Sequence, residues 1–188
     1  SGGIAACIQA AAAAKPLGML IAGEPSLPPE ALPAELPVVL LGSYDRLENC
    51  NICGIHYRDA AEKMVSHLHT MGHRSIWLLQ SSGESPEKAA ITAGYRQAAA
   101  ALGLTDRQCR VLEAEDSVVG GYRICREEIL TEKPPQAVFA VSDELAMGVI
   151  KAAREENIPL PEGLAVAGFT GSEAAAVITP ALTTMEHP

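Results

Sequence analysis

Residues 137–148, AVFAVSDELAMG, decide the fold. The first five are apolar without alternation, the pattern of a strand buried on both faces. Ser142 and Asp143 then break the run with polar groups suited to a strand-to-helix turn, where Asp143 serves as the expected helix cap. Beyond them Leu145, Ala146, Val149, Ile150 and Ala153 recur at helical spacing, and Asn157 is a left-handed cap before Ile158 and Pro159. The segment reads as strand, turn, helix.

Working outward, the same apolar texture returns at Met19–Ala22, Val38–Leu41, Ile76–Leu79 and Leu164–Ala167, each bounded by Gly, Pro or polar residues. Helical spacing lies between these runs. Residues 58–71 place Ala60, Ala61, Met64, Val65, Leu68 and Met71 on one face, with Gly72 as the stop. Ser85 is the expected N-cap of a second helix, with Pro86 at its first position, a stripe of Ile91, Tyr95, Ala98, Ala99 and Leu102, and Gly103 at its end. A third helix spans 119–130 and stops before Pro134 and Pro135. Alternating strands and helices imply right-handed crossovers and an α/β fold with a doubly wound parallel sheet. The first fifty-odd residues depart from this pattern. A proline-rich connection from Pro25 to Pro37 joins two strands without a full set of crossovers, as in an incomplete second lobe.

The 188 residues carry a net charge of −9 and are 48% hydrophobic. That length buries a real core, and the charge argues against this stretch gripping a phosphate backbone, which needs clustered Lys and Arg. Five cysteines, an odd number at scattered spacings, do not form a secreted disulfide framework, so reduced thiols in a cytoplasmic protein are expected. No apolar run approaches the roughly 20 residues of a membrane span, so no membrane partner is expected. The alanine-rich start has no basic flank of a secretory signal, and the abrupt ends at Ser1 and Pro188 lead us to expect the true termini elsewhere.

In open parallel sheets ligands sit beyond the carboxyl ends of the strands, which here end in short polar stretches: Gln80–Ser82, Ser142–Asp143 and Phe169–Gly171. A small polar ligand suits them. The other motifs weigh less. Cys50 and Cys53 have redox spacing but enter a strand-like run, and His67, His69 and His73 are split between helix faces and by Gly72, so no metal site is expected. Neither Ser82 nor Ser172 sits in a nucleophile elbow, no nucleotide-binding glycine loop is present, and no catalytic set is legible. No cofactor and no enzyme activity are expected.

Several strings in register resemble the ligand-binding core of LacI/GalR-family transcription regulators. They are residues 67–76 (HLHTMGHRSI), 93–98 (AGYRQA), Gly121-Tyr122 at a helix start, the 137–148 stretch, 158–169 (IPLPEGLAVAGF) and 180–184 (PALTT), with the 36–41 strand (LPVVLL) adding to them. The resemblance implies a periplasmic-binding-protein-like core of type I with two lobes. Residues 1–54 would be a partial N-terminal lobe, 55–182 the C-terminal lobe, and 183–188 the start of the return crossover. It also implies a helix-turn-helix head upstream, a homodimer, operator DNA reached through that head, and an effector, a sugar or sugar derivative, bound between lobes so as to shift one arrangement against another.

Departures from the family sharpen the expectation. Where sugar-binding members carry Arg three residues before the Gly94-Tyr95 pair, this chain has Ile91; where they have Gly-Phe-Asp after the last strand, it has Thr170; and where many have Asp-Asn entering the second lobe, it has His56 and Tyr57. Two charged ligand-holding groups are thus replaced. The residues expected to touch ligand are His56, Tyr57, Ser82, Ile91, Asp116, Ser142, Asp143 and Thr170. An altered ligand, or a weakened pocket, is the consequence. The chief rival is a periplasmic solute-binding protein of a sugar transporter, which shares the architecture; an enzyme on a similar sheet is the third possibility.

Overall fold

Strand and helix alternate from Tyr57 onward in the computed structural model, which describes residues 4–22, 29–42, 50–131 and 133–186. The chain forms two units, Ser1–His56 and Tyr57–Pro188.

In the first unit α1 (Ile4–Ala13) precedes β1 (Met19–Ala22), β2 (Val38–Leu41) and β3 (Asn51–Cys53), which form a parallel sheet in the order β1-β2-β3. Ile21, Val38 and Leu40 are buried with Ile8 of α1 and Ala31 of a short 3-10 turn. Successive strand residues point to opposite faces, so Leu20, Val39 and Leu41 line the other side, and Leu20 is 71% exposed. The apolar spacing of the sequence does not predict the helix over Ile4–Ala13. A run of alanines has no apolar period to detect, yet alanine is the strongest helix former.

The second unit runs α2 (Tyr57–Thr70), β4 (Ile76–Ser81), α3 (Pro86–Ala101), β5 (Val111–Ala114), α4 (Val118–Ile124), β6 (Ala137–Ala140), α5 (Asp143–Glu155), β7 (Ala165–Ala167) and α6 (Glu173–Val177). Its four strands are parallel in the order β5-β4-β6-β7, and Thr183 adds a single parallel bridge beside Ala167. Each central strand feeds two cores. Ile76, Leu78 and Phe139 pack with Met64, Val65 and Tyr95 of α2 and α3; Trp77, Leu79 and Val138 pack with Ile124, Leu145 and Val149 of α4 and α5. The chain builds β5 to one side of β4, then crosses to add β6 and β7 on the other. That reversal between β4 and β6 is the switch point at which doubly wound sheets open a crevice.

Local chemistry sets the ends. The Ser85 hydroxyl accepts from the Lys88 N–H at 3.1 Å and caps α3 over Pro86. Asn157 takes φ +58° after α5. Two expectations need correction. The cap of α5 is Ser142, whose hydroxyl accepts from the Leu145 N–H at 3.2 Å, because Asp143 turns inward to other partners. The third helix ends at Ile124 and widens into a π turn, Cys125–Ile129, which keeps both Cys125 and Ile129 buried. α4 approaches α5 so closely that a Cβ on Gly148 would lie 2.2 Å from the Val118 carbonyl oxygen.

Candidate ligand site

Each of the four strands of the second unit hands the chain to a polar residue at the same edge of the sheet. Ser82 follows β4, Asp116 follows β5, Ser142 follows β6 and Thr170 follows β7. Parallel pairing is the reason, because it puts all four carboxyl ends on one side.

Ser142 is 4% exposed and joins two of these ends: its hydroxyl caps α5 and donates in a very short hydrogen bond to Asp116 Oδ1. Asp116 itself is exposed. The Ser82 N–H donates to the Ala114 carbonyl at 2.8 Å, which ties the β4 loop to the end of β5, while the rest of Ser82 faces solvent.

Asp143 is fully buried and acts as the knot between α5 and the segment after β7. Its Oδ1 accepts from the Thr184 hydroxyl at 2.6 Å and from the N–H groups of Phe169 at 3.1 Å and Thr170 at 3.4 Å; its Oδ2 accepts from the Ser172 N–H at 2.6 Å. The Asp143 N–H in turn donates to the Thr170 hydroxyl at 3.2 Å. Burial pushes the carboxyl pKa up, but the hydrogen bonds from Thr184, Ser172 and Thr170 outweigh it and hold the group below the usual Asp value. Gly168 makes room for this carboxylate, since a Cβ there would stand 2.1 Å from Oδ1. The charge that sequence reasoning offered to a ligand hydroxyl is therefore engaged by protein donors.

The remaining predicted residues separate. Tyr57 opens α2, half-buried, and stacks on Phe169 with ring centroids 6.0 Å apart, which brings it under the Phe169–Gly171 turn. Burial, and then the Glu87 carboxylate, raise its phenol pKa. His56 closes the first unit and is exposed. Ile91 is 4% exposed inside the core between α3, α2 and the sheet, an apolar position where the family's sugar binders place a guanidinium. Ser172 and Thr184, the strongest partners of Asp143, escaped sequence reasoning. The available signal was the 180–184 string, which carries Thr184 in a run otherwise explained by chain direction.

A doubly wound parallel sheet with polar residues at the carboxyl ends of its strands is an arrangement that periplasmic-binding-protein-like cores share. Residues 65–188 match the periplasmic binding protein-like domain, and the chain belongs to that family. Within it, this chain is an effector-binding core of the LacI-family type of transcriptional regulator. It is 28% identical to catabolite control protein A of Priestia megaterium over 154 residues, covering 81% of this chain and 46% of that protein. Transcription regulator GntR from Chromobacterium violaceum superimposes with a TM-score of 0.73 at 28% identity, covering 95% of this chain and 67% of that one. A LacI-family regulator from Enterococcus faecium, solved with bound ribose, shares the fold at a TM-score of 0.69 and 24% identity, covering 81% of this chain and 56% of that one. The chain spans about half the length of the curated relatives it matches.

Proposed function

We propose that this domain senses a small polyhydroxylated ligand, a sugar or sugar derivative, and through it controls DNA binding by a helix-turn-helix head elsewhere in the parent regulator, a cytoplasmic homodimer. The observation that carries the proposal is the row of Ser82, Asp116, Ser142 and Thr170 along one sheet edge. Neutral hydroxyls beside the exposed Asp116 carboxylate suit a ligand made of hydroxyl groups, which both donates and accepts. The ribose bound to the Enterococcus faecium regulator supports the same ligand class.

Thr170 shapes the preference. With a hydroxyl in place of a carboxylate, position 170 offers a ligand an uncharged partner, and the buried Ile91 brings no guanidinium to the site. The ligand accordingly differs from an ordinary hexose. Binding selects one arrangement of the regulator, and the shift it causes equals its difference in affinity for the two.

Calorimetric titration against pentoses, hexoses and their phosphates tests this. A pentose or modified sugar should give saturable heat, and Asp116→Asn should weaken it by roughly tenfold, the loss of one charge-assisted hydrogen bond. Micromolar binding of an ordinary hexose would refute the altered ligand. No heat from any member of the panel would refute the sugar class.

A further inference from the structure

The corner where β4 turns into α3 holds a polar cluster separate from the row of strand ends. Lys88 lies in the first turn of α3, yet its side chain is only 8% exposed. Lysine is rarely so buried without partners. Its Nζ donates to the Gly83 carbonyl at 2.6 Å and to Glu113 Oε1 on β5 at 2.9 Å. The same Glu113 oxygen accepts from Gln80 Nε2 at 3.1 Å, and Gln80 Oε1 accepts from the Thr92 hydroxyl at 2.7 Å. Gln80, on β4, is 5% exposed. Strand β4, strand β5 and helix α3 are thereby joined through one ammonium and one amide.

The loop between β4 and α3 gains most from this joint. Residues 82–86 are exposed, so packing does little to hold them. Gly83 takes φ +93°, a backbone state that favours glycine. Three anchors fix the loop: the Ser82 N–H on Ala114, the Ser85 cap on α3, and the Lys88 ammonium on the Gly83 carbonyl. The last is charge-assisted and made by a buried donor, which makes it the strongest of the three by type.

We infer that Lys88 is a positioning residue for ligand recognition: its buried ammonium clamps the Ser82–Ser85 loop onto β5 and so fixes where Ser82 stands on the sheet edge. The clamp follows from the geometry of this corner, and its consequence for binding rests on the sugar reading proposed above. Glu113, half exposed, steadies the ammonium; hydrogen bonds from Lys88 and Gln80 hold its carboxyl below the usual Glu range.

Amide hydrogen exchange on the full chain, wild type against Lys88→Met and Lys88→Arg, measures the clamp, and D-ribose calorimetry on the same three proteins measures its consequence. Lys88→Met should speed exchange across 81–87 by roughly 10- to 100-fold while 143–155 keeps its rate, as expected for one lost charged hydrogen bond in a local opening. Lys88→Arg should fall between the two. Ribose affinity should weaken in step. Unchanged exchange at 81–87 in folded Lys88→Met overturns the clamp, and faster exchange with unchanged ribose affinity overturns the positioning role. Faster exchange in a series whose wild type binds neither ribose nor any other sugar of the panel supports the clamp and sinks the sugar reading instead. Should Lys88→Met not fold, Glu113→Gln carries the test: several-fold faster exchange at 81–87 supports the clamp, and none overturns it.

Discussion

The two sheets of this molecule are written in the same language and built to different completion. β2 and β6 are both short uninterrupted apolar runs, VVLL and AVFA. In the second unit every residue of β6 is buried, because helices cover both faces. In the first unit Val38 and Leu40 are buried with Ile8 of α1, while Leu41 is 37% exposed and Leu20 on β1, paired with Val39, is 71% exposed. An uninterrupted apolar run thus states a demand for two covered faces, and among the described residues of the first unit one face goes uncovered.

If that contrast is right, the energetic weight lies in the second unit. Phe139 is completely buried at the centre of its sheet and packs on Phe169 with centroids 5.7 Å apart. Phe139→Ala should cost about 4 kcal/mol, transfer and cavity together. Against a total of roughly 5–15 kcal/mol for a domain, that leaves little margin. Urea unfolding with fluorescence detection reports it, since Trp77 lies in the same sheet. A loss under about 1 kcal/mol would break the comparison by showing that burial in the second unit is not what stabilises it.

A polar version of the contrast concerns Asp143, whose partners all belong to the second unit. Its carboxyl is held below the ordinary value of 3.8, so the folded state takes up a proton there less readily than the unfolded chain. The stabilisation is complete at neutral pH, starts to fade as pH drops toward the ordinary value, and is gone below the folded pKa. Asp143→Asn should cost about 2 kcal/mol at pH 7, the loss of charged hydrogen bonds to backbone donors. The gap between wild type and variant should narrow as pH falls below the ordinary value and close below the folded pKa, visible in thermal melts across that range. A gap independent of pH would mean that the side chain's shape, and not its charge, holds the segment after β7.

These residues also mark where sequence reasoning reached and where it stopped. The strands of the second unit were legible because burial on both faces leaves an unbroken apolar run, and the α3 cap was legible because Ser85 and Pro86 act locally. β5 was not: VLEA is an edge strand of four residues, and its Glu113 interrupts the apolar signal while serving Lys88 and Gln80. The row of strand-end residues could be anticipated, since parallel topology alone gathers carboxyl ends on one edge. What those residues bond to could not. Thr184 lies 41 positions from Asp143, and Lys88 reaches Glu113 across 25; a side chain's partner at such separations depends on the folded chain, and the local pattern carries no trace of it.

The smallest effect belongs to the exposed face of the first unit, where it is the most discriminating. Leu20→Ser removes a large apolar side chain from a strand, which at a buried site would cost several kcal/mol. At 71% exposure there is little contact to lose, so stability should change by less than about 0.5 kcal/mol. The reporter that should move is binding of a hydrophobic dye, which falls when an exposed apolar patch is made polar. Unchanged stability with reduced dye binding keeps the two sheets apart as complete and incomplete versions of one pattern. A cost of 2 kcal/mol or more would mean that Leu20 is covered in solution, and the first unit would then meet the same two-faced demand as β6.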